Sequence, residues 1–330
     1  MTVLALSGGV GGAKLALGLS RILPPGDLTI VANTGDDFEH LGLAISPDID
    51  TLVYTLAGLA NPELGWGRRD ETWSFMETLA TLGGATWFRL GDRDLAMHVE
   101  RTRRLRRGET LTEITDDLTR RLGIGPRILP MTDGRLRTRV RTATGWLDFQ
   151  DYFVRLRCEP VVQELVFQGD AQPQPEFLAA LGDPALTAVV ICPSNPFISV
   201  EPILSLPGVR DALHACRAPV VAVSPIIAGR AIKGPTAKMM TELGLAPSAR
   251  AVAEWYGDLL DAYIVDHADA ADTAGLHPRV TATKTLMVTL EDRESLARAV
   301  LNAITTPPPL EGGGRGEGSR PAQPQTTRTK

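Results

Sequence analysis

The sequence predicts an α/β fold: a Rossmann-like, mainly parallel sheet flanked by helices, with an inserted helical plus β-hairpin subdomain. Three observations carry this expectation. Short, continuously apolar runs recur at 3–6, 28–32, 188–192, 220–223 and 262–265, as strands buried on both faces of a parallel sheet require. Helix-period patterns such as 209–216 and 251–261 lie between them, giving the alternation of βαβ units. A chain of 330 residues, 43% hydrophobic and 22% charged, has the size and composition to bury a substantial core.

The first element is the stretch LALSGGVGGAKLALGLSRIL at 4–23. Its apolar start reads as a strand, and Leu15, Leu19 and Ile22 recur at helical spacing. Between them Gly8, Gly9, Gly11 and Gly12 can bring backbone N–H groups close to an anion at the positive end of the helix. Two readings stand: a phosphate cradle, or a tight turn with close helix packing. The segment is not a P-loop, because Lys14 follows Ala13 and no Ser or Thr follows it. Nor is it the dinucleotide fingerprint, whose third glycine falls on Lys14; Lys14 reads as a residue of the helix flank.

After the second apolar run comes NTGDDFEHLGLAISPDIDTLVYTLAG, with Asp36, Asp37, Asp48 and Asp50 within fifteen residues. Mg2+ takes hard oxygen ligands of this kind beside phosphate. The competing reading is that Asp36 ends a turn and Asp48 caps a helix beginning near Ile49. RLGDRDLAMH follows at 89–98, a compact turn where Arg93 can offer its guanidinium fork to a phosphate or carbonyl. His98, four residues after Asp94, reads as structural, and the arginines of VERTRRLRRGE at 99–109 as a solvated face, with a subset facing the cleft as the alternative.

Between 131 and 153, Asp133-Gly134 and Thr144-Gly145 separate β-branched and aromatic residues, which predicts antiparallel hairpins. Further on, Ser194 and Asn195 follow an apolar run, with Pro196 suited to a first helical position. The stretch VVAVSPIIAGRAIKGPTAKMM brings Arg230, Lys233 and Lys238 near another Ser-Pro strand end. Ligands of open parallel sheets bind beyond the carboxyl ends of the strands, so the three segments point to one edge. The organisation expected is a core of 1–71 and 169–304, an inserted subdomain at 72–168 and a Pro- and Gly-rich disordered tail at 305–330.

A net charge of −5 argues against general binding of nucleic acid or anionic membrane. Cys158, Cys192 and Cys216 show neither CxxC nor zinc spacing, which fits a reduced, cytoplasmic setting. There is no signal-peptide pattern and no apolar stretch of about 20 residues to span a bilayer.

Taken together, SGGVGGAK, NTGDD, ISPDIDTLVYTLAG, GWGRRDETW, LGDRDLAMH, ILPMTD, FQDYFVR, PSNPFISVEPILSLPG and VSPIIAGRAIKG resemble, in order and spacing, the 2-phospho-L-lactate transferase family (CofD, called FbiA in actinobacteria) of coenzyme F420 biosynthesis. The resemblance implies Mg2+-dependent transfer of a phospho-acyl unit from a guanosine diphospho-donor to the ribityl hydroxyl of the deazaflavin Fo, with release of GMP. It implies donors built from phospholactate, phosphoenolpyruvate or 3-phosphoglycerate, and a homodimer. Under it, Asp50 and Arg93 are the expected catalytic residues and contact Fo with Trp66, while Trp73 also walls the ring. Gly8, Gly9, Gly11, Gly12, Ser194 and Asn195 hold the nucleotide, and Asp37, Asp50 and Asp36 the metal, with Asp48 beside them. The alternative is a YvcK-type sugar-nucleotide-binding regulator without transferase activity. A nicotinamide dehydrogenase is disfavoured by Lys14 and by the lack of a ribose-binding acid ending the second strand.

Overall fold

The computed structural model describes residues 1–62 and 66–305; the tail expected to be disordered lies, from 306 onward, outside the described residues. In chain order the first elements are β1 (Thr2–Ser7), α1 (Gly9–Ile22), β2 (Leu28–Ala32), β3 (Phe38–His40), β4 (Leu43–Ile45), α2 (Pro47–Leu56), α3 (Ser74–Thr81), α4 (Asp92–Leu105), α5 (Leu111–Arg121) and β5 (Arg127–Pro130). Next come β6 (Arg137–Thr142), β7 (Gly145–Asp148), β8 (Glu164–Gln168), α6 (Pro175–Gly182), β9 (Leu186–Ile191), α7 (Glu201–Leu204) and α8 (Val209–Ala215). The last are β10 (Val220–Val223), β11 (Ile226–Ile227), β12 (Arg230–Ala231), α9 (Thr236–Glu242), α10 (Ala249–Tyr256), β13 (Ala262–Asp266), β14 (Arg279–Thr283) and α11 (Leu290–Thr305).

Seven strands form one parallel sheet in the order β14-β13-β10-β9-β1-β2-β5. Alternation along each strand divides the core. Val3, Ala5, Ile30, Val190 and Ile264 face α1, α2 and α11, whereas Leu4, Leu6, Val189, Ile191 and Val265 face α6 to α10 and the antiparallel unit. Leu4, Leu6, Leu15 and Leu19 are fully buried, each contributing about 1.5–3 kcal/mol relative to exposure. The order reverses between β1 and β9, so the loops after these two strands flank a topological switch point, where ligands of such sheets bind.

The segment 72–168 is not one continuous excursion. Its helices α3 to α5 come first and the three-stranded antiparallel sheet β7-β6-β8 last, but β5 between them pairs with β2 at the edge of the central sheet, from Thr29 with Arg127 to Ala32 with Pro130. The boundaries 72–168 therefore enclose a core strand, one that only four residues long carries no periodic signal. Asp133-Gly134 makes no hairpin either. It connects β5 to β6, and the Asp133 carboxylate accepts from the Thr112 N–H in the first turn of α5 at 2.8 Å. Among the described residues no helix is long and apolar enough to cross a membrane.

Candidate active site

The loops at the carboxyl edge enclose a cavity of about 750 Å3. Its floor is the glycine loop: Gly8, Gly9, Val10, Gly11 and Lys14 line it, and Gly12 does not. Glycine is required here for two reasons. Gly9 adopts φ +63°, and a Cβ on Gly11 would stand 2.4 Å from the Pro193 carbonyl oxygen. The close-packing reading is visible in this contact with the loop after β9; the N-terminus of α1 also opens into the cavity, the place where the cradle reading puts an anion. Ser194 braces this contact, its hydroxyl accepting from the Gly8 N–H at 3.1 Å and donating to the Gly8 carbonyl at 2.8 Å. Asn195 lines the cavity, but its side-chain oxygen caps the π-helical turn Pro196–Val200, accepting from Phe197 N–H at 2.9 Å. Both side chains thus shape this end of the cavity rather than offering free donors to it. Lys14 lies on the cavity wall, donating to the Met287 carbonyl at 2.8 Å. Burial, Arg293 and Lys233 push its pKa below the usual lysine range, and Lys233 also lines the cavity.

The aspartates separate into different roles. Asp48 does not cap its own helix: α2 begins at Pro47, and the Asp48 carboxylate reaches across to accept from the Gly9 N–H at 2.7 Å, at the positive end of α1. The Asn33 amide joins Asp48, at 2.9 Å, to Asp36, at 3.1 Å. Burial raises Asp48 to about 6, and burial together with the Asp48 charge raises Asp36 well above the carboxylate range. Two buried carboxylates that resist ionising together, both facing the cavity, are what a divalent cation relieves. Among the described residues no three His, Cys, Asp or Glu converge as a ready-made metal cage; a pair of carboxylates fits Mg2+, which usually keeps water and substrate oxygens in its shell. Asp37, by contrast, is not on the cavity wall. Its carboxylate accepts from Ser46 Oγ at 2.8 Å, and burial raises it to about 7 against the opposing pull of Arg137. Asp37, expected among the metal-binding residues, is thus set off from Asp36 and Asp48 by its place behind the cavity wall.

Asp50 lines the cavity, but both its oxygens are taken by the guanidinium of Arg101, a residue 1% exposed. A carboxylate neutralised by a bidentate arginine is a poor metal ligand and a poor base, though it keeps lone pairs that can orient a hydroxyl. The same guanidinium stands 3.3 Å from His98 Nδ1. Since arginine only donates, Nδ1 accepts, and the ring proton sits on Nε2. Nε2 lies 3.2 Å from the Asp94 carboxylate, and Asp94 accepts from the Tyr54 hydroxyl.

Arg93 stands apart from the cavity, exposed on the first turn of α4. Its turn is fixed by reciprocal caps. Asp92 accepts from Ser74 and Phe75 N–H at the start of α3, and Glu71 accepts from Arg93 and Asp94 N–H at the start of α4. Arg89 lines the cavity instead, its guanidinium 4.1 Å from the ring centroid of Trp73. Trp66, 45% exposed, is on the cavity wall, and Trp73 packs beside it with centroids 6.5 Å apart. Of the cations after β10, Lys233 reaches the cavity; Arg230 and Lys238 do not, Lys238 being paired with Glu242. The solvated-face reading of 99–109 fails for Arg101, which is buried against Asp50, and sequence reasoning missed Asn33, Arg89, Trp87 and Phe88. Only Asn33 had a usable signal, its place at the carboxyl end of an apolar run.

A parallel α/β sheet with a glycine loop, paired carboxylates and an aromatic wall around its switch point marks a small-molecule site. Comparison with known proteins narrows this. The sequence model of the family described as 2-phospho-L-lactate transferase CofD matches residues 3–307, and the chain belongs to this transferase family. It is 40% identical over 314 residues to a phosphoenolpyruvate transferase of Streptomyces griseus, covering 91% of this chain and 98% of that one. It is 38% identical over 301 residues to a 2-phospho-L-lactate transferase of Methanospirillum hungatei, covering 91% and 99%. Among solved structures, a UPF0052 family protein of Bacillus halodurans superposes with a TM-score of 0.59 at 15% identity, covering 91% and 98%, a likeness of fold.

Proposed function

We propose that this protein transfers a carboxylate-bearing phosphoacyl group, phosphoenolpyruvyl or phospholactyl, from a guanosine diphospho-donor to the ribityl hydroxyl of Fo in coenzyme F420 biosynthesis, releasing GMP. The observation that carries the reading is the meeting in one cavity of the α1 N-terminus with Asp36, Asp48 and Asp50 and an aromatic wall. The relatives named for the two donors stand at 40% and 38% identity, so the proposal rests on the chemistry the donors share.

In the reaction the acceptor oxygen forms a bond to the phosphorus that carries the phospholactyl or phosphoenolpyruvyl carbon skeleton through its ester oxygen, the bond from this phosphorus to the bridging oxygen breaks so that GMP leaves, and the hydroxyl proton goes to solvent. Catalysis of this kind is chiefly positioning and charge neutralisation. Free N–H groups of the glycine loop, Lys14 and Lys233 receive the diphosphate. Asp50, immobilised by Arg101, orients the acceptor hydroxyl through its remaining lone pairs. Trp66, Trp87 and Phe88 supply flat apolar surface for the deazaflavin ring. Asp36 and Asp48 would hold Mg2+, which when bound neutralises charge on the diphosphate oxygens.

Titration of Fo with the protein tests the acceptor: its fluorescence changes on binding if the reading holds. Absence of any change at high protein concentration favours the sugar-nucleotide regulator, whose cavity has no use for a deazaflavin.

A further inference from the structure

We infer that Arg157 is the residue that grips the carboxylate of the donor's phosphoacyl group and so sets the class of group transferred; the inference rests on the function proposed above.

Arg157 and Cys158 are two successive non-glycine residues in the left-handed region, at φ +50° and +57°. L-residues resist this conformation, and it persists only where surroundings enforce it, often at functional sites. The enforcement is visible. The Cys158 N–H donates to the Tyr152 carbonyl at 2.9 Å. On the far side, Lys238 donates to the Pro160 carbonyl at 3.0 Å, and its ion-pair partner Glu242 accepts from the Val162 N–H at 3.0 Å.

What the strained turn sets is the point at which Arg157, an exposed residue, leaves the chain at the rim of the cavity. Arg157 lines the cavity, and among the described residues no hydrogen bond or ion pair engages it. The other cations there have assignments: Lys14 donates to Met287, Arg89 lies over Trp73, and Lys233 neighbours Lys14 beside the glycine loop. The donor carries two kinds of anion. Its diphosphate matches the glycine-loop end, which leaves the carboxylate, the planar two-oxygen group that a guanidinium fork fits best. The element that presents Arg157 also carries Phe149 and Phe153, stacked with centroids 5.3 Å apart, and both line the cavity. Apolar rings and an unpaired guanidinium on the wall of one cavity suit a small apolar group with a carboxylate at one end. The Gln150 amide donates to the Asp36 carbonyl at 3.2 Å, docking the same element onto the aspartate loop, where the reacting phosphorus is expected.

Arg157→Gly and Arg157→Lys test this. Glycine removes the guanidinium and accepts positive φ freely, so Arg157→Gly should melt no lower than wild type while donor KM rises roughly 10- to 100-fold. GDP and Fo affinities, by calorimetry and fluorescence, should stay within about twofold, and Arg157→Lys should recover part of the donor affinity. An unchanged donor KM, a parallel loss of GDP affinity, or a lower melting temperature overturns the inference. If wild type makes no product with any donor, the proposed function fails, and Arg157 is judged by direct binding of phosphoenolpyruvate. Binding to wild type that Arg157→Gly loses upholds the carboxylate site; equal binding to both, or to neither, rejects it.

Discussion

Asp37→Asn separates the placement of the aspartates from their sequence spacing. Asp37 is buried, with one carboxylate oxygen accepting from Ser46 and the other without a partner. Burial raises it from 3.8 to about 7. A carboxyl that holds its proton more tightly when folded contributes stability fully present below pH 3.8 and lost as pH rises through about 7. The interval is roughly three pH units at about 1.4 kcal/mol each, an upper limit of about 4 kcal/mol. Asparagine keeps an acceptor for Ser46 and removes the charge. In urea denaturation with EDTA present, Asp37→Asn should therefore be more stable than wild type by up to about 4 kcal/mol near pH 8.5, with the advantage vanishing near pH 4. Because Asp37 lies off the cavity wall, the same variant should retain Mg2+-dependent activity within a fewfold. A variant less stable than wild type at the higher pH, or one that loses its response to Mg2+, refutes the reasoning.

Other substitutions probe the remaining contacts. Arg101→Leu leaves a buried Asp50 charge unpaired and should cost about 3–5 kcal/mol in chemical denaturation, whereas adding Asp50→Asn should restore much of the loss; an additive double variant would deny the pairing. Gly11→Ala places a Cβ 2.4 Å from the Pro193 carbonyl oxygen and should destabilise the fold by about 1–3 kcal/mol, read as a lower melting temperature. Arg93→Ala should leave kcat/KM within about twofold, while Arg89→Ala weakens Fo binding roughly tenfold through the loss of its place over Trp73. The reverse ranking in a fluorescence titration would return the role to Arg93.

Much of the core was legible because burial on both faces of a parallel sheet writes continuous apolar runs, as at β2, β9 and β10. β5 and β14 were missed: RILP is too short for periodicity, and RVTAT is half-exposed at the sheet edge. The glycine loop and the aspartate loop were legible as site segments, since they follow strands at the edge where ligands bind. Which aspartate did what was not, because it depends on partners far along the chain. Arg101 lies 51 residues from Asp50, and Asp48 serves a helix 39 residues before it. Arg93 was attractive for its place in a charged turn, but capping by Glu71 and Asp92 consumes that turn's charge and leaves its guanidinium in solvent.

The central claim, phosphoacyl transfer onto Fo in this cavity, is tested most directly by incubating the protein with Fo, Mg2+ and each guanosine diphospho-donor in turn, and weighing the products by mass spectrometry. The account predicts equal amounts of GMP and of an Fo phosphodiester carrying a carboxylate-bearing acyl group, with at least one of the phosphoenolpyruvyl and phospholactyl donors. Intact Fo and no GMP with every donor would contradict it.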